Sequence, residues 1–513
     1  MESLNNRTYT MPEADIKPFF TAASVVASKR FPHTLSGLGN NKAVTTFIAV
    51  ICFLMAANIN AQTLEWVKST GGGEDDEGKS ITVDATGNVY ITGFFKNSVD
   101  FDPGPDEKNL HSVGARDIFV QKLDANGNFL WAKSFGGKGE DLGVSIALDE
   151  ASNVYIIGGF DDTVDFDPGM GVTKLTAVGK KDIFIQKLDA NGNFLWAKAF
   201  GGRDYDAGTS IAVDADGNVY TTGYFIDTVD FDPGPDSMKI SAVGLWDSFI
   251  QKLDANGNFL WAKSFGGNNE SYSFLLAIDA KGNVYTSGNF TDSIKFDPGT
   301  GVKNLSAKGD EDVFILKFND KGNLLWAKSF GGKMSDNAID LAIDGAGNVY
   351  STGTFMGFVD FDPGKDSMKM SAVGIRYIYI QKLDTHGNLQ WVKTIVGKGC
   401  DNVNSIVVDG VGNVYTTGYF NEGFIIPETG AILVSSTDPD TFIQKFDAQG
   451  NLLCFNTFGG NDYEDYANSI AIDNKDNVFT IEYFSGTVDF DQKKDGIKLT
   501  AGGGSDLFVL KLK

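Results

Sequence analysis

The chain has 513 residues, of which 42% are hydrophobic and 12% aromatic, and its formal net charge is −24. This hydrophobic content is ample for a packed core, which excludes disorder as a description of the repetitive part that begins near Gln62. The first 61 residues carry five positive and three negative side chains, so residues 62–513 carry −26. A surface of this charge repels phosphate backbones and anionic lipid headgroups but attracts cationic partners. Nucleic acid is therefore excluded as a partner.

The N-terminal segment predicts export. We expect residues 1–40 to form a disordered extension and residues 41–61 to form a signal peptide that is cleaved after Ala61. Lys42 precedes the apolar run at residues 44–57, as in secretory signals. A run of about 14 residues is too short to span a bilayer comfortably, and an uncleaved anchor is the alternative. The predicted location is secreted or at the cell surface, with no membrane insertion of the mature domain.

A unit of about 65 residues fills the rest of the chain. Its clearest mark is a tryptophan that recurs every 65 residues, with Cys454 at the matching place 63 residues after the last one: Trp66, Trp131, Trp196, Trp261, Trp326 and Trp391. A strand-rich unit of this length cannot bury its own apolar faces, so the seven copies must pack on one another.

Each unit contains four predicted strands, named a to d. In the third copy, residues 210–214 and 218–225 are joined by a turn with Gly217, and residues 247–253 and 258–265 by a turn with Gly257. Asp or Asn before Gly, between β-branched runs, is typical of a hairpin. The sequence therefore predicts an all-β domain over residues 62–513, a seven-bladed β-propeller of four-stranded antiparallel blades. The N-terminal strand is expected to complete the last blade and close the ring.

Three recurring motifs resemble the bacterial seven-bladed β-propeller repeat family (SBBP type) across residues 62–513. They are Gly-Asn-Val-Tyr-Thr-Thr-Gly-Tyr, Asp-x-Phe-Ile-Gln-Lys-Leu-Asp and Leu-Trp-Ala-Lys-Ser-Phe-Gly-Gly. The resemblance implies the architecture alone, because propellers host enzymes, ligand binders and scaffolds.

Antiparallel order places the a–b and c–d turns at one end of the ring, the turn end, and the b–c and d–a loops at the other, the loop end. The turn-end motif Asp-Ala-Asn-Gly lacks the later bidentate Glu of a calcium loop, so we interpret it as a plain hairpin turn.

Two acidic features recur at the loop end. One is an Asp in the d–a loop; the other is Asp-Phe-Asp-Pro-Gly in the b–c insert, whose carboxylates are a candidate calcium site. An element needed in most blades more often serves the blade itself, so a structural role is favoured and Ca²⁺ is the open alternative. The candidate calcium ligands are Asp100, Asp102, Asp165, Asp167, Asp230, Asp232, Asp360 and Asp362.

One loop-end position differs from blade to blade where the rest of the unit barely changes. The residue before strand c is Arg116, Lys181, Trp246, Glu311 or Arg376 in blades one to five, and Tyr377 follows the last of these. Variation on the loop-rich end is where equivalent loops would differentiate a binding surface, although an unconstrained turn tip would vary in the same way. These six residues are the predicted ligand-binding set.

The sequence offers no catalytic constellation. His111 and His386 belong to different blades, Cys400 and Cys454 have no basic cluster nearby, and the carboxylates recur blade after blade. We therefore expect a monomeric, non-catalytic binding or scaffold module that recognises a protein or glycan through the loop end, with no cofactor other than a candidate Ca²⁺. The alternative is a carbohydrate-active enzyme, a glycosidase or polysaccharide lyase, that uses a carboxylate pair on that face.

Overall fold

The computed structural model describes residues 62–296, 304–362, 367–397, 401–421, 423–426, 431–433, 439–460, 465–490 and 497–513. The predicted extension, the predicted signal peptide and Cys400 lie outside these residues. All regular secondary structure in the described part is β. No helix long and apolar enough to cross a membrane occurs there.

Seven antiparallel sheets form the ring, and the prediction of a seven-bladed β-propeller is confirmed. The strands a to d of blades one to six are, in order, Glu77–Val83, Val89–Phe95, Asp117–Leu123, Phe129–Phe135; Leu142–Leu148, Val154–Phe160, Asp182–Leu188, Phe194–Phe200; Ala207–Val213, Val219–Phe225, Asp247–Leu253, Phe259–Phe265; Ser271–Ile278, Val284–Phe290, Asp312–Phe318, Leu324–Phe330; Asn337–Ile343, Val349–Asp360, Lys369–Leu383, Leu389–Gly397; Asn402–Val408, Val414–Phe420, Asp440–Phe446, Leu452–Gly460.

Blade seven is built from both ends of the described chain. Its strands a to c are Tyr466–Ile472, Val478–Phe484 and Asp506–Leu512, and its outer strand is Leu64–Gly72. The outer strand pairs antiparallel with strand c, with Trp66 opposite Lys511 and Ser69 opposite Phe508.

The hydrophobic core lies between the blades. In blade one, strands b and c are buried along their whole length, because both faces of the sheet meet a neighbour. Each of the seven apolar clusters takes residues from two adjacent blades; the cluster between blades seven and one, for example, joins Phe479 to Phe119. Adjacent blades also touch through their strands a, which therefore lie at the centre of the ring.

Short hairpins in the b–c inserts add a second link between blades. They are Ser98–Asp100 with Asn109–His111, Thr163–Asp165 with Lys174–Thr176, Thr228–Asp230 with Lys239–Ser241, Ser293–Ile294 with Leu305–Ser306, Phe424–Ile426 with Ala431–Leu433, and Thr487–Asp489 with Lys498–Thr500. In blade five the long strands b and c take this place. An insert pairs with the outer strand of the preceding blade, as Asp100 does with Gly71.

Paired glycines at the end of strand d allow this link. A Cβ on Gly136 would overlap the Asp117 carboxylate, and a Cβ on Gly137 would press on the Thr163 carbonyl of the next insert. The Ser-Phe-Gly-Gly motif is therefore required by close packing at this point.

At the turn end, the a–b turn carries the same hydrogen bonds in all seven blades. In the a–b turn of blade one, Asp84 Oδ1 accepts the N–H groups of Thr86 and Asn88, and Oδ2 accepts the Asn88 side-chain amide. The c–d turn repeats the arrangement with Asp124, Asn126 and Asn128, as expected for a plain hairpin turn with Asx bonds.

The recurring tryptophan joins one blade to the next at this end. Trp131 Nε1 donates to the Ala190 carbonyl in the c–d turn of blade two at 3.2 Å, and Lys122 Nζ donates to the same oxygen at 3.0 Å. The strand-c lysine also faces the a–b turn Asp of its own blade, 3.8 Å away for Lys187 and Asp149. The same pairing of lysine and aspartate recurs in blades three, four and five.

Cys454 replaces the tryptophan where no c–d turn follows. In blade seven the place of that turn is taken by backbone pairing of Thr63 with Lys513. Gln62 fills the adjoining space and exchanges two hydrogen bonds with Asn456. The carbonyl that a tryptophan would use is absent from this described region, and the smaller Cys454 is buried at 4% exposure.

Candidate functional site

The residues that differ most between blades lie around the centre of the loop end. Three positions per blade form this group, which we call the central rim: the residue after the d–a loop Asp or Ser, its cross-strand partner on strand b, and the residue before strand c. The first position holds Glu77, Leu142, Ala207, Tyr272, Asn337, Asn402 and Tyr466; the second holds Phe94, Gly159, Tyr224, Asn289, Thr354, Tyr419 and Tyr483; the third holds Arg116, Lys181, Trp246, Glu311, Arg376, Pro439 and Ser505.

Backbone contacts bring these positions together across the blade boundary. The residue before strand c bridges to the following d–a loop, as Trp246 does to Glu270, and its carbonyl accepts the next N–H, that of Ser271, at 2.9 Å. The third position of one blade is thereby held beside the first position of the next. The sequence prediction found only the third position.

In blades one and two the third position of the central rim holds a cation, Arg116 or Lys181. The Arg116 guanidinium lies over the Phe94 ring at 4.5 Å, and Lys79 Nζ lies 5.7 Å from the same ring. The Lys181 stem packs on Gly159, where blade three has Tyr224. Both predicted ligand-binding residues are half-buried, with their stems against the blade.

Between blades three and four the central rim is aromatic. Tyr224 packs edge-on against Trp246 and Tyr272, with ring centroids 5.2 and 5.1 Å apart. Trp246 and Tyr272 are 6.1 Å apart, and Phe274 stacks on Tyr272. All four rings are half-buried. Burial raises the pKa values of the Tyr224 and Tyr272 hydroxyls.

Two glutamates adjoin these rings. The Tyr272 hydroxyl hydrogen-bonds Glu270, and the charges of Glu270 and Glu311 both act on it. The pKa of Glu311 is raised by burial and by the nearby Glu270 charge, against a hydrogen bond from Asn289. The Asn289 side chain also bonds Asn337 at 2.8 Å and the Ala338 N–H at 2.8 Å, which holds it in place.

The remaining predicted residues, Arg376 and Tyr377, lie in blade five. Arg376 is half-buried, and Tyr377 pairs with Phe355 across the sheet and packs edge-on against its ring, as part of the core of blade five.

Blades six and seven add a tyrosine group, in which Tyr466 lies 4.5 Å from Tyr419 and 5.1 Å from Tyr483. Sequence reasoning missed this group because its members lie inside strands.

The Asp-Phe-Asp-Pro-Gly carboxylates accept backbone N–H groups of their own loops. Asp100 Oδ1 accepts from Asp102 and Lys108, and Asp102 Oδ1 accepts from Gly104 at 2.8 Å. The same bonds recur at Asp165, Asp167, Asp230, Asp232 and Asp360, and the Asp362 N–H donates to Asp360. Phe101, between the two aspartates, is fully buried.

These loops alone do not supply the ligand set that calcium takes. Ca²⁺ takes six to eight oxygens, whereas each motif offers two carboxylates. No group of three or more acidic, histidine or cysteine side chains within the described residues is arranged to hold a metal. The calcium site stays a prediction.

The d–a loop aspartates accept hydrogen bonds from the backbone that follows strand d and from the backbone that follows strand b. Asp141 accepts the Gly137 N–H at 2.6 Å and the Asp161 N–H at 3.1 Å. Burial raises its pKa to about 6, although these hydrogen bonds oppose the shift. In blade four Ser271 makes different bonds, because its hydroxyl donates to the Phe265 carbonyl and accepts from the Ser248 N–H, both in blade three.

Two carboxylates, each at a position where no other blade has one, were not predicted. Glu482 occupies a strand-b position that is glycine in the other six blades; it is fully buried, accepts from Thr480, and has a pKa that burial raises to about 7. Asp340 replaces a serine on strand a and accepts from Ser405 and the Ile406 N–H. Departure from the repeat is the signal that could have found both.

The two histidines of the repeat region lie in different blades. His111 is exposed in the insert of blade one and His386 is exposed in a turn-end c–d turn. Burial raises the pKa of the Cys454 thiol, which opposes thiolate chemistry. A groove of about 490 Å³ near His386 is lined by Lys317, which recurs in every blade, and by Trp326, which recurs in every blade but the sixth, so the groove is a by-product of the repeat.

The comparisons agree with the repeat architecture. The sequence model of the beta-propeller repeat, SBBP, matches residues 65–93, 195–224 and 390–424. Each matched segment runs from strand d of one blade into strand b of the next, and the resemblance to this repeat family is confirmed.

Curated relatives are similar over part of their length. The chain is 25% identical over 509 residues to the uncharacterized WD repeat-containing protein L264 of Acanthamoeba polyphaga mimivirus, covering 82% of this chain and 36% of that protein. It is 26% identical over 259 residues to the regulatory protein FlaEY of Caulobacter vibrioides, covering 48% of this chain and 26% of that protein. The chain thus spans about a third and about a quarter of these relatives.

A solved propeller is also similar. The β-propeller domain of the trilobed protease from Pyrococcus furiosus matches with a TM-score of 0.39 at 10% identity, covering 82% of this chain and 90% of that chain. A likeness at this level carries no argument about function.

Proposed function

We propose that this protein is an exported, monomeric, non-catalytic binding module that recognises a protein or glycan through the central rim of its loop end. The observation that carries the proposal is the uneven distribution of variation. Turn-end residues repeat from blade to blade, whereas the third rim position changes from a cation in blades one and two to Trp246 in blade three and Glu311 in blade four. Packing alone would not require such a change.

The composition of the rim also favours binding. Tryptophan, tyrosine and arginine are the residues most enriched at interaction hot spots. The rim carries Trp246, Arg116 and five tyrosines, all half-buried where a partner would complete the burial. Arg116 and Trp246 stand at the position that differs most from blade to blade.

Pull-down and glycan-array experiments test the proposal with the full-length chain and a Trp246→Leu variant. We expect a specific protein or glycan to be captured, and capture to be weakened by the variant. A Leu325→Ala variant at the exposed outer face of strand d is the matched control. Capture that is equally strong with all three proteins would refute recognition through the rim.

Export is the second part of the proposal. Cell fractionation should find the protein outside the cytoplasm, and N-terminal sequencing of the mature form should begin at Gln62. Retention in the cytoplasm with an intact N-terminus would refute it.

A carbohydrate-active enzyme is the second candidate, and one observation favours it. Glu270 and Glu311 form a pair that occurs once in the ring, and the environment raises the pKa of Glu311, as in an acid–base pair. A hydrolysis screen on polysaccharides, with Glu311→Gln as control, separates the candidates. Turnover lost in Glu311→Gln would replace the binding proposal.

A further inference from the structure

Five residues between blades three and four form a surface with its own chemistry. We call Tyr224, Trp246, Tyr272, Glu270 and Glu311 the acidic-aromatic patch. The three ring centroids lie within 6.1 Å of one another, the Tyr272 hydroxyl hydrogen-bonds Glu270, and the charge of Glu311 also acts on Tyr272. The patch combines the two features that attract an organic cation, the negative face of an aromatic ring and a fixed negative charge.

In blade one, the equivalent positions hold an aromatic ring together with a cation from the chain itself. Phe94 corresponds to Tyr224, and Arg116 corresponds to Trp246. The Arg116 guanidinium lies 4.5 Å from the Phe94 ring, so the chain provides its own cation there. Lys180 does the same for Tyr205 in blade two, at 5.2 Å.

The acidic-aromatic patch has no such internal cation. None of the lysine or arginine side chains in the described part of the chain lies over the rings of Tyr224, Trp246 or Tyr272. Trp246 stands where blade one has arginine. The position that supplies a cation in blade one therefore supplies an aromatic ring in blade three.

The two carboxylates strengthen the argument. Glu270 and Glu311 are close enough for the charge of one to act on the other, and Glu311 is half-buried. A neutral glycan could stack on the rings but would leave this repulsion in place. A cation would relieve it and also complete the ring contacts.

We propose that the acidic-aromatic patch binds a lysine or arginine side chain of a partner protein, in the geometry that Arg116 and Phe94 show within blade one. This inference rests on the proposed function and specifies the ligand chemistry of one sector of the rim. The charge of −26 on residues 62–513 attracts a basic partner over a longer range.

Selection from a random dodecapeptide display library tests the inference. The baits are the full-length chain, a Glu270→Gln/Glu311→Gln variant, and a Glu150→Gln/Asp216→Asn control that removes two exposed carboxylates from the turn end. We expect the wild type and the control to enrich peptides with the same excess of lysine and arginine over the input, and the patch variant to lose that excess. Replacing arginine by citrulline in an enriched peptide should weaken binding by roughly five- to thirtyfold.

The outcomes separate this inference from the proposed function. An equal excess of basic residues with all three baits, or no excess with the wild type, would refute the cation-binding patch. A glycan-array signal that falls in Trp246→Leu and persists in the patch variant would refute it too, while leaving the proposed function standing. Binding that no rim substitution changes would refute both.

Discussion

The two ends of the ring solve different problems with the same repeat. At the turn end, Asp84 and its counterparts bind their own turns, and Trp131 and its counterparts bind the next blade. At the loop end, the d–a loop aspartates and the insert hairpins hold the blades together, and the central rim is free to vary. Repeated residues therefore mark the contacts that hold one blade on the next, and residues that differ between blades mark the surface that these contacts leave exposed.

The difference between the two ends predicts unequal losses of stability for two half-buried tryptophans. Trp131→Ala should lower the free energy of unfolding by roughly 2–4 kcal/mol, because it removes the ring packed on Tyr90 and the bond to the Ala190 carbonyl. Trp246→Ala should cost roughly 1–2 kcal/mol, because it removes ring contacts with Tyr224 and Tyr272, and it should also weaken binding. Urea denaturation and peptide binding, measured on both variants, check the prediction. Equal costs at both sites would mean that the two ends contribute alike.

A substitution that restores the repeat should also destabilise the protein. Cys454→Trp places a large ring at a site of 4% exposure, where Gln62 and Asn456 already occupy the space and no c–d turn follows. We expect a loss of roughly 1–3 kcal/mol in urea denaturation. The reciprocal variant Trp391→Cys should lose stability as well, since its Nε1 bond to Ala448 disappears. A stabilised Cys454→Trp protein would contradict the role assigned to the next blade's turn.

The sequence alone predicts features that depend on local interactions, but not features that depend on contacts between repeats. The tryptophan spacing and the Gly-containing turns predicted seven four-stranded blades, because hairpins and burial patterns are local. The purpose of Trp131 was not predictable, since its acceptor belongs to another repeat. Only one of the three rim positions was found. The other two, such as Tyr272 and Asn289, lie inside strands, and only the register between strands places them beside Glu311.

The two ends should also differ in pH dependence. Burial raises the pKa of Asp141 to about 6, so its contribution to stability is full below the unfolded value, about 3.9, and is lost as pH rises to about 6. At the turn end, burial opposes the shift, but hydrogen bonds from Thr86 and Asn88 hold the pKa of Asp84 below its usual range. Its contribution is present above about 3.9 and is lost as pH falls through the folded value.

Urea midpoints between pH 3 and pH 8 measure both effects. Asp141→Ser, which copies Ser271 of blade four, should make the fall in stability between about pH 4 and 6 shallower. Asp84→Asn should destabilise the protein at pH 6 and do so less at pH 3. Parallel pH profiles for the two variants would show that the two ends do not differ in this respect.

Calcium gives the smallest expected effect and tests whether the loop-end aspartates are only structural. Asp100 and Asp102 already accept backbone N–H groups, so we expect the same thermal unfolding midpoint with Ca²⁺ and with a chelator. A bound ion would instead raise the midpoint as its concentration rises above the dissociation constant. An Asp102→Asn variant, whose amide oxygen can still accept from Gly104, should keep the wild-type midpoint if the carboxylate serves the loop. A calcium-dependent rise that this variant abolishes would make the loop end a metal site as well as a rim.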